Sequence, residues 1–73
     1  MTIKAANTQN AIRGNEILTR YREINPDYQA RPEEPNQQAL ADLLTDLRHW
    51  AQLDNLDFLI AAEVSEYHYE EEK

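Results

Sequence analysis

Apolar residues between positions 36 and 53 recur at helical spacing and mark the clearest element of the chain. They are Leu40, Leu43, Leu44, Leu47, Trp50 and Ala51. Because residues three or four apart share one side of a helix, this spacing predicts an amphipathic helix. The intervening positions are polar, so we expect the leucines and Trp50 inside and a solvated opposite face. Asn36 is the expected N-cap, and Asn55 the expected left-handed residue after the last turn.

Two flanking segments carry weaker helical patterns. The first runs over about residues 9–25 and stops before Pro26, since the residue before a proline avoids helical geometry. The second runs over about residues 57–71, with Asp57 as its N-cap. Its inward positions would be Phe58, Ala61, Ala62, Ser65 and Tyr69. No stretch alternates in the manner of a strand, so the pattern predicts an all-α, three-helix domain.

The chain is short enough to be one domain, residues 1–73. Residues 1–8 are polar without a period and are expected to form a flexible arm. Residues 26–35 contain all three prolines and are expected to be a stiff connector, with Tyr28 packing back onto a helix. There is no cysteine for a disulfide, and a core of this size is marginal. We therefore expect a homodimeric helical bundle.

Charge is divided unevenly along the chain. Residues 1–31 carry five basic and three acidic side chains, whereas residues 32–73 carry two basic and eleven acidic ones. This distribution disfavours direct binding of nucleic acid or of an anionic membrane, both of which need basic clusters. It favours a protein partner, one with a basic surface or a second copy of the chain. No apolar run is long enough for a membrane span, so the expected location is cytoplasmic.

The candidate site residues are mostly acids on two predicted helices. Antiparallel packing could bring the acidic faces of the central and third helices together. The proposed acidic and aromatic binding face comprises Asp42, Asp46, His49, Glu63, Glu66, Tyr67 and Glu70. A divalent metal site, if there is one, would use Asp42, Asp46, Glu63 and Glu66, because carboxylates are the ligands Mg²⁺ prefers. A solvated acidic surface is the simpler interpretation. Tyr69 is expected inside and Tyr67 outside.

The acidic spacing Glu63-Val64-Ser65-Glu66 resembles one motif of the all-α nucleotide pyrophosphohydrolases. That resemblance implies a Mg²⁺-dependent hydrolase. The central helix, however, has acids four apart, at Asp42 and Asp46, where that family has a three-residue spacing. No catalytic residue is assigned and no cofactor is expected, since the chain has neither a Gly-rich phosphate loop nor a nucleophile motif.

A second resemblance covers roughly the last 30 residues. The segments Leu-Leu-Thr-Asp-Leu-Arg-His-Trp, Leu-Asp-Phe and Ser-Glu-Tyr-His-Tyr-Glu-Glu-Glu resemble small uncharacterised helical proteins of phages, plasmids and other bacterial mobile elements. The resemblance implies an accessory role in a mobile element. The expected function is a non-enzymatic protein–protein interaction module. The alternatives are an inhibitor of a host nucleic-acid-binding or defence protein, anti-CRISPR-like and imitating the charge of DNA, and the Mg²⁺-dependent hydrolase.

Overall fold

The computed structural model describes residues 5–73, with side chains from residue 7 onward, and this part of the chain is all-α. Its helices are α1 (Ala5–Ile24), α2 (Pro26–Ala30), α3 (Asn36–Leu53) and α4 (Phe58–Glu72). The all-α prediction is confirmed. The predicted count of three was wrong, because a five-residue helix forms within the segment expected to be an irregular connector.

Helix α1 is longer than its pattern suggested. It begins at Ala5, so the second half of the expected arm is helical, whereas residues 1–4 lie outside the described residues and their flexibility stays a prediction. Helix α1 ends at Ile24. Asn25 is extended, and its side chain accepts a hydrogen bond from the Asp27 amide (3.0 Å), which caps α2. Proline is well placed at the first turn of α2, where its missing N–H costs nothing.

Tyr28 and Arg22 fold the proline-rich segment back onto α1. The Tyr28 side chain is buried, as expected, and the Arg22 guanidinium lies 4.8 Å from the centre of its ring. Arg22 also donates to the Pro32 carbonyl oxygen at 3.0 Å. The side-chain amide of Gln29 donates to the Arg22 carbonyl oxygen at 3.0 Å. Residues 26–35 are therefore a docked turn and not a free spacer.

Helix α3 has the predicted bounds, but only one of its predicted caps. Asn36 is the first helical residue and not the N-cap; that position belongs to Pro35, which offers no side-chain acceptor. At the other end Asn55 has φ of 59°, as predicted. The Leu56 amide donates to the Ala51 carbonyl oxygen at 2.8 Å, and the Asn55 amide to that of Gln52 at 3.4 Å. These two bonds form a Schellman motif, which ends the helix.

The core of the molecule is small and lies where α1, α2 and α3 meet. Tyr21, Tyr28 and Ala39 are buried there, and Leu18 and Leu43 pack against them. Ala39 is fully covered, because its short side chain lets the tyrosine rings approach α3 closely.

Most of the predicted interior of α3 is therefore outside the core. Leu40, Leu44, Leu47 and Trp50 were expected to be buried and are exposed, Trp50 by 55%. Leu43 is half-buried, and Ala51 is the one member of the predicted stripe that is fully buried. The helical period was correct, but the covered side of the helix is a different one.

Helix α4 was expected to lie along α3 and does not. None of its residues is buried; Phe58 is half-buried, whereas Ala61, Ala62, Ser65 and Tyr69 are exposed, contrary to prediction. The C-terminal end of α4 contacts α1 instead: the side-chain amide of Asn7 donates to the Glu72 carbonyl oxygen at 2.6 Å. Helix α4 thus leads from the end of α3 to the beginning of α1. Its N-cap is Asp57, as predicted, which accepts from the Ile60 amide at 3.0 Å.

The resulting molecule is thin and open. It measures 37 × 32 × 15 Å, so each of its two longer dimensions is more than twice the shortest one. Gly14 lies two turns before Tyr21 on the same side of α1, yet no atom outside the adjoining backbone of α1 lies within 4 Å of the place where a β-carbon would stand. Helix α1 therefore contacts α3 at the end that lies near α2, whereas at Gly14 the same face of α1 is uncovered.

Candidate interaction surface

The first two predicted site residues, Asp42 and Asp46, are hydrogen-bonded to the core tyrosines. The Tyr28 hydroxyl donates to Asp42 Oδ2 at 2.5 Å, and the Tyr21 hydroxyl donates to Asp46 Oδ2 at 2.6 Å. Asp42 also accepts from the Gln38 amide at 3.2 Å. Asp42 is half-buried and Asp46 is exposed, and both carboxylates lie on the side of α3 that faces the tyrosines. Their observed role is to satisfy the polar ends of two buried rings.

The tyrosine hydroxyls respond to this environment. Burial, together with the hydrogen bond to a carboxylate, raises the pKa of Tyr21 and of Tyr28 to about 12. Burial disfavours the charged phenolate, and the nearby Asp46 and Asp42 make a second negative charge unfavourable. For Tyr21, a hydrogen bond from the Asn25 amide to the phenol oxygen at 3.0 Å acts in the opposite direction. Both rings therefore remain neutral donors at ordinary pH.

The other predicted acids lie apart from this cluster. Glu63, Glu66 and Glu70 are exposed along one side of α4. The expected convergence of the two acidic faces does not occur, because Asp42 and Asp46 point toward α2 and α1. Within residues 5–73, no three His, Asp or Glu side chains are gathered closely enough to hold a metal ion. The four candidate metal ligands, Asp42, Asp46, Glu63 and Glu66, therefore form no common site in this arrangement.

The remaining predicted site residues are at the surface. His49 is exposed on α3. Tyr67 is 65% exposed, as predicted, and its ring meets that of His68 edge-on with 6.4 Å between centroids. Tyr69 is exposed as well, contrary to prediction, with the Lys73 ammonium 5.9 Å from its ring centre. The end of α4 thus presents aromatic rings among its carboxylates.

One exposed apolar feature is a row of leucines that the sequence pattern assigned to the core. Leu40, Leu44 and Leu47 are 44, 47 and 41% exposed, and we call them the α3 stripe. Their steps of four and three residues are those of a coiled-coil seam. They lie roughly a third of a turn around the helix from Ala39, Asp42 and Asp46, which face the tyrosines. The helical spacing of these leucines was visible in the sequence, but an exposed apolar row and a buried face have the same spacing.

Helix α4 carries a second apolar row. Ile60, Val64 and Tyr67 follow one another at steps of four and three residues, and all three are exposed. Glu63, Glu66 and Glu70 occupy the adjacent side, which we call the α4 acidic face. Apolar and charged groups are therefore presented side by side on a helix that contributes no buried residue to its own domain. Such a combination is typical of recognition surfaces.

Comparisons with protein-family models, with curated proteins and with solved structures gave no match. Over the described residues, no helix combines the length and the apolar character needed to cross a membrane.

Proposed function

We propose that this protein is a non-enzymatic protein–protein interaction module that acts as a homodimer and presents α4 to a basic partner. The observation that carries the proposal is that α4 buries none of its residues while it exposes both apolar side chains and carboxylates. Because α4 buries so little surface within its own domain, its side chains are available for contact with another molecule. Amphipathic helices commonly bind partners by laying one face in a groove.

The charge of α4 determines the kind of partner we propose. The helix carries five glutamates and no lysine or arginine. Because it follows α3 through a short turn and touches α1 only at its far end, most of its length is open to solvent. A partner whose surface is rich in lysine and arginine would be attracted to it, and the attraction would weaken with salt.

A charge-matched pair of variants tests this proposal. The face variant carries Glu63→Gln, Glu66→Gln and Glu70→Gln. The control carries Glu16→Gln, Glu33→Gln and Asp54→Asn, which remove the same charge at exposed positions outside α4. Binding to a defined lysine- and arginine-rich helical peptide is measured by titration. Three exposed ion pairs of about 0.5 kcal/mol each amount to roughly a ten-fold loss of affinity for the face variant.

We expect the control variant to bind nearly as well as the unmodified protein. We also expect affinity to fall as salt is raised from about 0.05 to about 0.5 M. Equal losses in the two variants would show that only the overall charge matters, and the α4 acidic face would then have no special role. Binding that does not respond to salt would contradict an electrostatic surface altogether.

A second candidate function uses the same face. The helical rise places Glu63, Glu66 and Glu70 roughly 5 to 6 Å apart in a row, a regular array of negative charge. We propose, as the alternative, that this row occupies a nucleic-acid site on a basic host protein, the role of an inhibitor carried by a mobile element. Competition distinguishes the two: only in the inhibitor case would a duplex that carries the host protein's own binding sequence displace the protein better than an unrelated duplex, since any basic surface binds DNA non-specifically.

A further inference from the structure

The thin shape of the molecule leaves far more surface exposed than a folded chain of this mass usually has. Its accessible surface is 6286 Å² for a mass of 8.6 kDa. The size dependence of monomeric proteins gives about 4,700 Å² for that mass, so about 1,600 Å² is in excess. The radius of gyration is 14.1 Å, whereas a compact chain of this length has about 11 Å.

The excess reflects a missing layer. Stable domains have at least two layers of secondary structure packed around one core, because a single helical layer leaves an apolar side of each helix in water. Here the molecule is about 15 Å across its smallest dimension, and α4 buries none of its residues. Leu40, Leu44 and Leu47 remain more than two-fifths exposed, and the face of α1 at Gly14 meets nothing within 4 Å.

We infer that a second copy of this chain supplies the missing layer and that the α3 stripe is the centre of the contact between the copies. A two-fold axis places the same patch on both sides of an interface, so the patch has to be complementary to itself. Two helices with apolar residues at steps of four and three pack in this way, as in a coiled coil. This inference deepens the homodimer in the proposed function and rests on that part of it.

The available area is sufficient for such a dimer. A standard stable interface buries about 1,600 Å² in total, or about 800 Å² from each chain. The excess surface of each chain is roughly twice that amount. The dimer therefore needs only about half of this excess surface, and α4 can remain accessible to another partner.

The charges also permit self-association. Asp42 and Asp46, which lie on the same helix, are turned toward the tyrosines. Arg48 follows Leu44 by one helical turn, and its guanidinium lies 5.9 Å from the centre of the Phe58 ring. No acidic residue of α3 shares the side of the helix that carries the α3 stripe, so two copies of a chain with a net charge of −7 can meet there without opposing the carboxylates of this helix.

Sedimentation equilibrium of the purified protein, with no partner present, tests the inference. We expect twice the mass of one chain, and a monomer for Leu44→Glu at concentrations where the unmodified protein is dimeric. Two buried carboxylates at the axis should weaken association roughly a hundred-fold or more. The matched control is Leu53→Glu, the same change at an 84% exposed leucine of the same helix, and it should remain dimeric. Circular dichroism establishes that both variants keep their helices.

A second measurement covers the case in which Leu44→Glu does not fold. The chain has no cysteine, so Leu44→Cys and Leu53→Cys each introduce a single thiol. Under mild oxidation we expect Leu44→Cys to form a disulfide-linked dimer rapidly and Leu53→Cys to form it slowly. A monomeric unmodified protein, or equal behaviour of the two positions, would overturn the inference. Neither result bears on the α4 acidic face, whose test uses binding of a basic peptide.

Discussion

At the scale of single residues, the paired Tyr–Asp hydrogen bonds hold the core together. Tyr21 and Tyr28 bury aromatic rings whose centroids are 6.1 Å apart, and each hydroxyl ends on a carboxylate of α3. A buried hydroxyl without an acceptor would destabilise the fold, and Asp42 and Asp46 supply the acceptors. Residues that the sequence suggested as functional acids are therefore part of the packing.

These tyrosines should make the fold sensitive to alkali. The pKa of both is raised to about 12 from an ordinary value of 10. Since the folded-state pKa lies above the unfolded one, the unfolded chain loses these protons first, and the free energy of unfolding falls as pH rises from about 10 to about 12. Below pH 10 this contribution is fully present.

Urea denaturation between pH 8 and about pH 12 measures this loss. The control is Tyr67→Phe, which removes an exposed hydroxyl and should leave the alkaline loss intact. A Tyr21→Phe and Tyr28→Phe double variant should be less stable at pH 8. Its free energy of unfolding should also fall less steeply above pH 10. An equally steep decline in that variant would assign the alkaline transition to other groups.

At the scale of helices, the residues next to each helix end determine where the helix stops, whereas they do not determine which other helix it contacts. Helix α3 ends at a Schellman motif, and α4 begins at Asp57, both made from neighbouring residues. Helix α4 has few contacts with the rest of the domain, so its stability should depend on that cap more than a packed helix would.

Removal of the α4 cap is therefore expected to have a measurable effect. Asp57→Ala leaves the Ile60 amide without its acceptor and should destabilise the protein by about 1 kcal/mol. Asp54→Ala, three residues earlier, removes a carboxylate that caps no helix N-terminus and should change stability by less than about 0.5 kcal/mol. Chemical denaturation of both variants provides the comparison. Equal effects would mean that the lost charge, and not the cap, is responsible.

At the scale of the whole molecule, the thin layer explains the amount of apolar surface left in water. Over residues 7–73, two buried tyrosines together with Ala39 and Ala51 are a small core. If the second layer comes from another copy, stability cannot be separated from association.

That coupling predicts a melting temperature that depends on protein concentration. For a dimer of this size, each ten-fold increase should raise the melting midpoint by roughly 3 to 6 °C. Calorimetry over a hundred-fold range of concentration measures the effect, and Leu44→Glu should melt at a constant, lower temperature. A concentration-independent midpoint in the unmodified protein would indicate that the single layer is stable by itself.

The positions of the helices follow largely from local sequence. The bounds of α3, the left-handed Asn55 and the cap at Asp57 were predicted correctly, because helix periodicity, capping and positive φ depend on residues a few positions apart. The length of α1 and the formation of α2 were missed: the early residues of α1 are polar, and α2 is held by tertiary contacts of Tyr28 and Arg22.

Which side of each helix is covered depends instead on the contacts between helices. The leucines of α3 indicated a buried face, yet the covered side carries Ala39, Asp42 and Asp46. A buried tyrosine needs close approach and an acceptor for its hydroxyl, and a small residue with carboxylates provides both. An apolar face indicates that a helix packs against another surface, whereas the geometry of the neighbouring helices determines whether that surface belongs to the same chain.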